Sequence, residues 1–130
     1  MFNIVLWQPE IPPNTGNVAR LCAALDLPLH LVGPLGFRIS DREVKRAGLD
    51  YWEHVRLVHH ANREAFEAAH PDPPAWYFST RGTTAFWDVA FRPGDFLVFG
   101  SETKGLPADL LEARRDRLLR IPQGSAVRSL

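Results

Sequence analysis

Residues 2–25 read FNIVLWQPEIPPNTGNVARLCAAL, and the change of period inside this stretch decides the fold. Residues 2–7 are a short apolar run rich in β-formers, the pattern of a strand buried on both faces. The prolines within 8–13 break that run. A helix is expected directly afterwards, with Asn14 or Thr15 as its cap. Val18, Leu21, Cys22 and Leu25 recur at i, i+3, i+4 and i+7, so that stripe is predicted to pack on the sheet until Pro28 ends the helix.

The alternation continues outward from this unit. Further strands are expected at 29–32, 55–58, 76–79, 96–99 and 118–121. A helix is expected at 41–47, where Ser40 and Glu43 form a capping box and Gly48 a stop. Another runs from an Asn62 cap through 69, with Ala65, Phe66 and Ala69 on one face, and a short one covers 107–113. Short strands alternating with helices predict a single α/β domain over 1–130 with a mainly parallel sheet and flanking helices.

Composition narrows the class without naming an activity. Hydrophobic residues make up 45% of the 130 and charged residues 23%, the balance of a soluble globular domain that can bury its own core. Lys+Arg and Asp+Glu both total 15, which argues against broad coating of nucleic acid but allows a local basic face. The only cysteine is Cys22, so neither a disulfide framework nor a cysteine-rich metal site is expected. The N-terminus has no basic segment, and its apolar run is too short for a signal or a membrane span. No membrane partner is therefore expected, and the setting reads as cytoplasmic.

In a parallel α/β sheet, ligands sit beyond the carboxyl ends of the strands. Three loops with unusual chemistry leave that edge, at 8–17, 100–107 and 121–129. The first sets Asn14, Asn17 and Arg20 around the start of a helix, beside free main-chain N–H groups suited to a phosphate or ribose. Alone it reads equally well as a proline turn with a capping Asn and a solvated Arg. In the second, Gly100 and Gly105 flank Glu102 and Lys104, but Leu106 and Pro107 stand where a phosphate-binding loop needs Lys and Ser/Thr. The third, around Pro122, Gly124, Ser125 and Ser129, is rich in small residues and main-chain donors. Convergence of the three is the functional signal.

Other candidates carry less. His59 and His60 are adjacent, so in an extended chain they face opposite ways and cannot chelate one metal. Asp88, Glu67 and His54 have no partner at metal-ligand or triad spacing. Ser79, Ser101, Ser125 and Ser129 lack the nucleophile elbow of a hydrolase. Cys22 lies on the apolar stripe and reads as core, and the tryptophans read mostly as packing, with Trp7 and Trp76 near strand ends placed to border a cleft.

Taken together, NIVL…PEIPPNTGNVARLCAAL, RAGLDYWE, FGSETKGLP and IP…RSL resemble the three signature motifs of the SPOUT-class methyltransferases. The resemblance spans essentially the whole chain. It is closest to the tRNA (cytidine/uridine) 2′-O-methyltransferases of the wobble position. It implies a SPOUT trefoil-knot fold, S-adenosylmethionine as methyl donor, no metal, tRNA as substrate and an obligate homodimer. Knots are otherwise nearly absent from proteins, so periodicity alone would not suggest one. By resemblance, main-chain groups near Phe78, Gly100, Ile121 and Ser129 would hold the cofactor. Asn14 and Arg20 match residues near the target ribose, and Glu102 matches the acid of the second motif. The family pattern usually continues past the serine with an asparagine and a helix, so a chain ending at Leu130 reads as cut short inside its last motif, with the knot incomplete.

Methyl transfer to a ribose hydroxyl is an in-line displacement that needs orientation and loss of a weakly acidic proton. Arginine stays protonated, so Arg20 is expected to act as a clamp for phosphate and developing alkoxide rather than as a base. Two alternatives stay open: a SPOUT enzyme acting on another tRNA or rRNA position, and a non-catalytic RNA- or nucleotide-binding module.

Overall fold

Strand β1 (Asn3–Trp7) lies inside a seven-stranded sheet of order β3-β2-β1-β6-β4-β7-β5. Its neighbours are β2 (Leu29–Val32), through Val5↔His30, and β6 (Phe96–Phe99), through Val5↔Val98. Strand β3 (Leu57–His60) pairs outside β2, while β4 (Ala75–Phe78), β7 (Leu118–Arg120) and β5 (Thr84–Ala85) extend the other flank. Every named pairing is parallel. The structure is a computed structural model that describes residues 1–38 and 52–123. The expected helix at 41–47 lies outside them.

Helices cover both faces. Because successive side chains alternate, Val5 and Trp7 point to one face and Ile4 and Leu6 to the other. The first face joins Val32, Phe66, Tyr77, Val98, Leu110 and Leu118 in a continuous core, to which helices α2 (Arg63–Ala69) and α3 (Ala108–Ala113) contribute. The second packs Ala19 and Cys22 of helix α1 (Pro12–Leu25) onto Leu29 and Leu31. Asn62 caps α2 as its sequence predicts, its Oδ1 accepting from the Ala65 N–H at 2.8 Å. No helix among the described residues is long and apolar enough to cross a membrane.

Helix α1 departs from its expected register. Its buried residues are Thr15, Gly16, Ala19 and Cys22, whereas Leu21 and Leu25 are each 58% exposed. The helix begins at Pro12, and no side chain of its own caps it. Small residues on the inner face let the backbone approach the sheet closely, and that contact outweighs the larger leucine stripe. Two further differences concern strands. The third runs over Leu57–His60 rather than 55–58, and Thr84–Ala85 forms a two-residue edge strand too short for any periodicity to reveal.

Candidate active site

Strands β1, β6, β4 and β7 are consecutive neighbours and all point the same way, so the loops leaving Trp7, Phe99, Phe78 and Arg120 emerge side by side. The chain crosses over here, since β6 inserts between β1 and β4, and such switch points open a crevice between loops. The loop after β1 turns at once: Gln8 adopts the left-handed conformation (φ 47°), and its N–H donates to the Val32 carbonyl at 2.7 Å. A non-glycine residue held there costs roughly 1–2 kcal/mol, which the surrounding contacts must offset.

The loop after β6 is folded on itself. Ser101 and Gly105 exchange main-chain hydrogen bonds at 3.3 and 3.0 Å, and the Lys104 N–H donates to Ser101 Oγ at 3.1 Å. Gly105 has φ +66°, which favours glycine. A Cβ placed on Gly100 would overlap the Gly105–Leu106 peptide, so that position also requires glycine.

Two acids lock these loops together. Glu102 Oε1 accepts from the Glu10 N–H at 2.9 Å, and Oε2 accepts from the Ile11 N–H at 2.8 Å and from Asn14 Nδ2 at 3.3 Å. In return, Glu10 Oε1 accepts from both the N–H and the hydroxyl of Thr103, at 3.0 and 2.7 Å. The Thr103 hydroxyl and N–H hold the Glu10 carboxyl below the usual carboxylate range, aided by Ser101 and Lys104. Glu102 thus places a negative charge at the N-terminus of α1, where donors are unpaired and the helix dipole favours an anion. It does from 91 residues away what no residue of the helix does itself.

Two clefts flank this lock. One, of about 430 Å³, is lined by Ser79, Thr80, Ser101 and Thr103, by the apolar Leu106 and Leu111, and by the charged Arg81 and Lys104. The other, of about 360 Å³, is an apolar groove between α1 and the sheet, with Leu6, Val18, Leu21 and Phe99 among its walls. Gly100 and Glu102 belong to both.

The expected site residues fall into place unequally. Phe78 is buried and stacks on Phe99 with centroids 4.6 Å apart; it and Gly100 line the larger cleft. Asn14 and Ile121 line the apolar groove, and Asn14 touches Glu102 directly. Arg20 is exposed on α1 and lines neither cleft; six residues along a helix set it roughly 120° around from Asn14. Ser129 lies outside the described residues. Trp7 is buried edge-to-face against Phe66 at 6.0 Å, and the Trp76 indole N–H donates to Asp95 at 3.0 Å, so both serve packing more than a cleft.

Sequence reasoning missed Glu10 and Thr103. Both lie inside the quoted motifs, but their contact joins positions 93 apart. The clue was the acid itself, an ionised group between prolines with no local cation to satisfy it.

The cleft's donor set fits S-adenosylmethionine. Its volume lies within the usual range for a small-molecule site. The apolar Leu106 and Leu111 offer a surface for an adenine, and the hydroxyls of Ser79 and Thr80 suit a ribose or an amino-acid end.

A tRNA (cytidine(34)-2'-O)-methyltransferase of Burkholderia ambifaria is 53% identical over 133 residues, which cover 100% of this chain and 85% of that protein. A solved structure concerned with the 2-OH methylation of C/U34 on tRNA superposes with a TM-score of 0.92 at 50% identity, covering 100% of this chain and 85% of that one. The AdoMet-bound rRNA methyltransferase of Sinorhizobium meliloti shares the fold at 23% identity and a TM-score of 0.85, covering 99% of this chain and 50% of that one. The signature of the SpoU rRNA Methylase family matches residues 1–130, and this chain belongs to that family.

Proposed function

We propose that this chain transfers a methyl group from S-adenosylmethionine to the ribose 2′-hydroxyl of the wobble nucleotide, position 34, of tRNA. Identity of 53% along the whole chain to a tRNA (cytidine(34)-2'-O)-methyltransferase carries this reading. The cleft and the Glu10–Glu102 lock give it a physical basis.

When bound, S-adenosylmethionine supplies an electrophilic methyl on a sulfonium. Main-chain groups of the loops at Phe78, Gly100, Ile121 and Ser129 would hold it, with Phe78 and Gly100 already walling the larger cleft. Glu102 acts as a positioning residue that fixes the first loop and α1 against the second loop. Asn14, oriented by Glu102 Oε2, offers its amide to the ribose. Arg20 reaches toward substrate phosphate as a fixed cation and stabilises developing negative charge on the attacking oxygen.

The protein works as a homodimer in the cytoplasm, with a fold of the SPOUT trefoil-knot class. Support for the dimer comes from α1, which exposes Leu21 and Leu25, with Ile11 exposed at its start. A second copy would remove that apolar surface from water.

The experiment is methylation of bulk tRNA by the full-length protein with a tritiated methyl donor, followed by mapping of the modified nucleotide. Label at the 2′-oxygen of nucleotide 34 is expected. Label at another tRNA position or only in rRNA would move the substrate, and no label with retained RNA binding would make the protein a binding module.

A further inference from the structure

A second cluster of chemistry lies beneath α2, on the β3 flank of the sheet. His30 of β2 pairs with Val58, and Val32 pairs with His60 of β3, so the two histidines sit diagonally across adjacent strands. Both are nearly inaccessible, at 5% and 7% exposure. His70, the residue that ends α2, closes the group and is only half-buried. One ligand-capable nitrogen from each ring lies within 4.8 Å of the others. His59 is exposed and His60 buried, so the adjacent pair does not share a metal. The partners of His60 come from elsewhere in the chain.

We propose that His30, His60 and His70 bind one divalent transition-metal ion of the zinc class. Three imidazoles with no carboxylate suit such borderline ions and disfavour the hard cations magnesium and calcium, which demand oxygen. The site ties edge strand β3 and the end of α2 to β2.

The tautomer of His30 is arranged for it. Asn3 Nδ2 donates to the Gly94 carbonyl at 3.4 Å, which turns Asn3 Oδ1 toward His30 Nε2 at 3.2 Å. An amide oxygen only accepts, so His30 carries its proton on Nε2 and aims the Nδ1 lone pair into the cluster. Metal-binding histidines commonly show this second contact from the far ring nitrogen to an oxygen. His60 Nε2 donates to His30 Nδ1 at 3.0 Å, and a bound ion would take the place of this proton, with His60 carrying its own on Nδ1 instead. Zinc–nitrogen bonds of about 2.1 Å in a tetrahedron put ligand nitrogens roughly 3.4 Å apart, so the three rings, and first of all the least buried, His70, have to adjust to an ion. Its half-exposed position at a helix end permits that movement and gives the ion a way in.

Protons do not compete strongly. Burial pushes His30 down to about 4, and burial likewise holds His60 below the ordinary histidine value, with neighbouring histidines adding to both effects. Both rings are therefore neutral and able to donate at neutral pH. Around them Phe66 and Phe96 pack against the imidazoles, His70 lying 4.9 Å from Phe96 between centroids. Such an apolar shell restricts solvent access to the ion.

The test uses untagged full-length protein stripped with a chelator and titrated with cobalt(II), then with zinc. Visible d–d bands of tetrahedral intensity, saturating at one ion per chain and bleached by zinc, are expected. Asn3→Ala should weaken binding roughly 10- to 100-fold, and His70→Gln, at the half-exposed position least critical for folding, by at least as much. The control His54→Gln/His59→Gln should bind as the parent does. Absence of the bands in the parent, full binding by His70→Gln, or loss of binding in the control would each overturn the site.

Discussion

Replacing Glu102 by Ala tests whether that acid acts through geometry. The side chain accepts two main-chain N–H groups and one amide, and its removal frees all three donors. The Ile11 N–H and the Asn14 amide are exposed and regain water at little cost, whereas the part-buried Glu10 N–H does so poorly. An unsatisfied buried donor costs about 1–3 kcal/mol, and loss of the anion at the start of α1 adds roughly 0.3–1 kcal/mol. The sum, about 2 kcal/mol, lowers Tm by something on the order of 5–10 °C for a domain of this length. Glu102→Gln keeps the shape but turns an NH₂ toward one of the same donors, so it should recover less than half of that loss. Because the first loop then drifts against the second, methyl transfer to tRNA should fall roughly 100-fold or more in both variants, as misplacement of about 1 Å can cause. Differential scanning calorimetry and single-turnover methylation on one preparation decide it. If Tm is unchanged while methylation is abolished, Glu102 acts on the substrate itself and the positioning argument is refuted. If both are unchanged, the lock does nothing.

Gly100→Ala should disrupt the folded-back loop at a cost of about 1–3 kcal/mol, because its methyl would overlap the Gly105–Leu106 peptide, and calorimetry with S-adenosylhomocysteine should show lost affinity. Arg20→Ala should cut the methylation rate roughly 100- to 1000-fold with Tm and cofactor affinity unchanged, and Arg20→Lys should restore little; near-normal turnover would leave Arg20 as a solvated surface residue. The Glu10 carboxyl is held below its ordinary range in the folded protein, so its contribution to stability is present above the unfolded value and lost as pH falls through the folded one. Urea titrations should therefore show a gap between the parent and Glu10→Gln at neutral pH that narrows steadily as the solution is made acid, and a constant gap would contradict the assignment. Leu21→Glu, on the exposed face of α1, should give a monomer by sedimentation while the isolated fold persists.

The sequence was most readable where physics is local. The apolar runs around Val5, Leu31 and Val98 and the Asn62 cap need only neighbours within a few residues, and they form where their pattern places them. Helix α1 was misread because a 3.6-residue period reveals a stripe but not which stripe is used. Close approach by Gly16 and Ala19 outranked the hydrophobicity of Leu21 and Leu25. The three loops could be placed at one sheet edge from strand direction alone, but which acid contacts which N–H depends on strand order, and β6 lies beside β1 only through a crossover. His30, His60 and His70 were hidden for the same reason. Each is unremarkable in its own segment, and only the pairing of β2 with β3 brings the rings together.

Insertion of β6 between β1 and β4 also has a temporal consequence. Of the strands, β1 leaves the ribosome first, and β2 can dock on one of its edges soon afterwards, with β3 outside β2. Its other edge faces no partner until residues 96–99 are made, almost ninety residues later. At typical synthesis rates that interval lasts roughly 5–20 s, during which an apolar strand presents open N–H and C=O groups to anything extended nearby. A nascent chain of this topology is therefore exposed to strand-to-strand aggregation for a set period, and slower translation upstream of Phe96 should lower the yield of soluble protein.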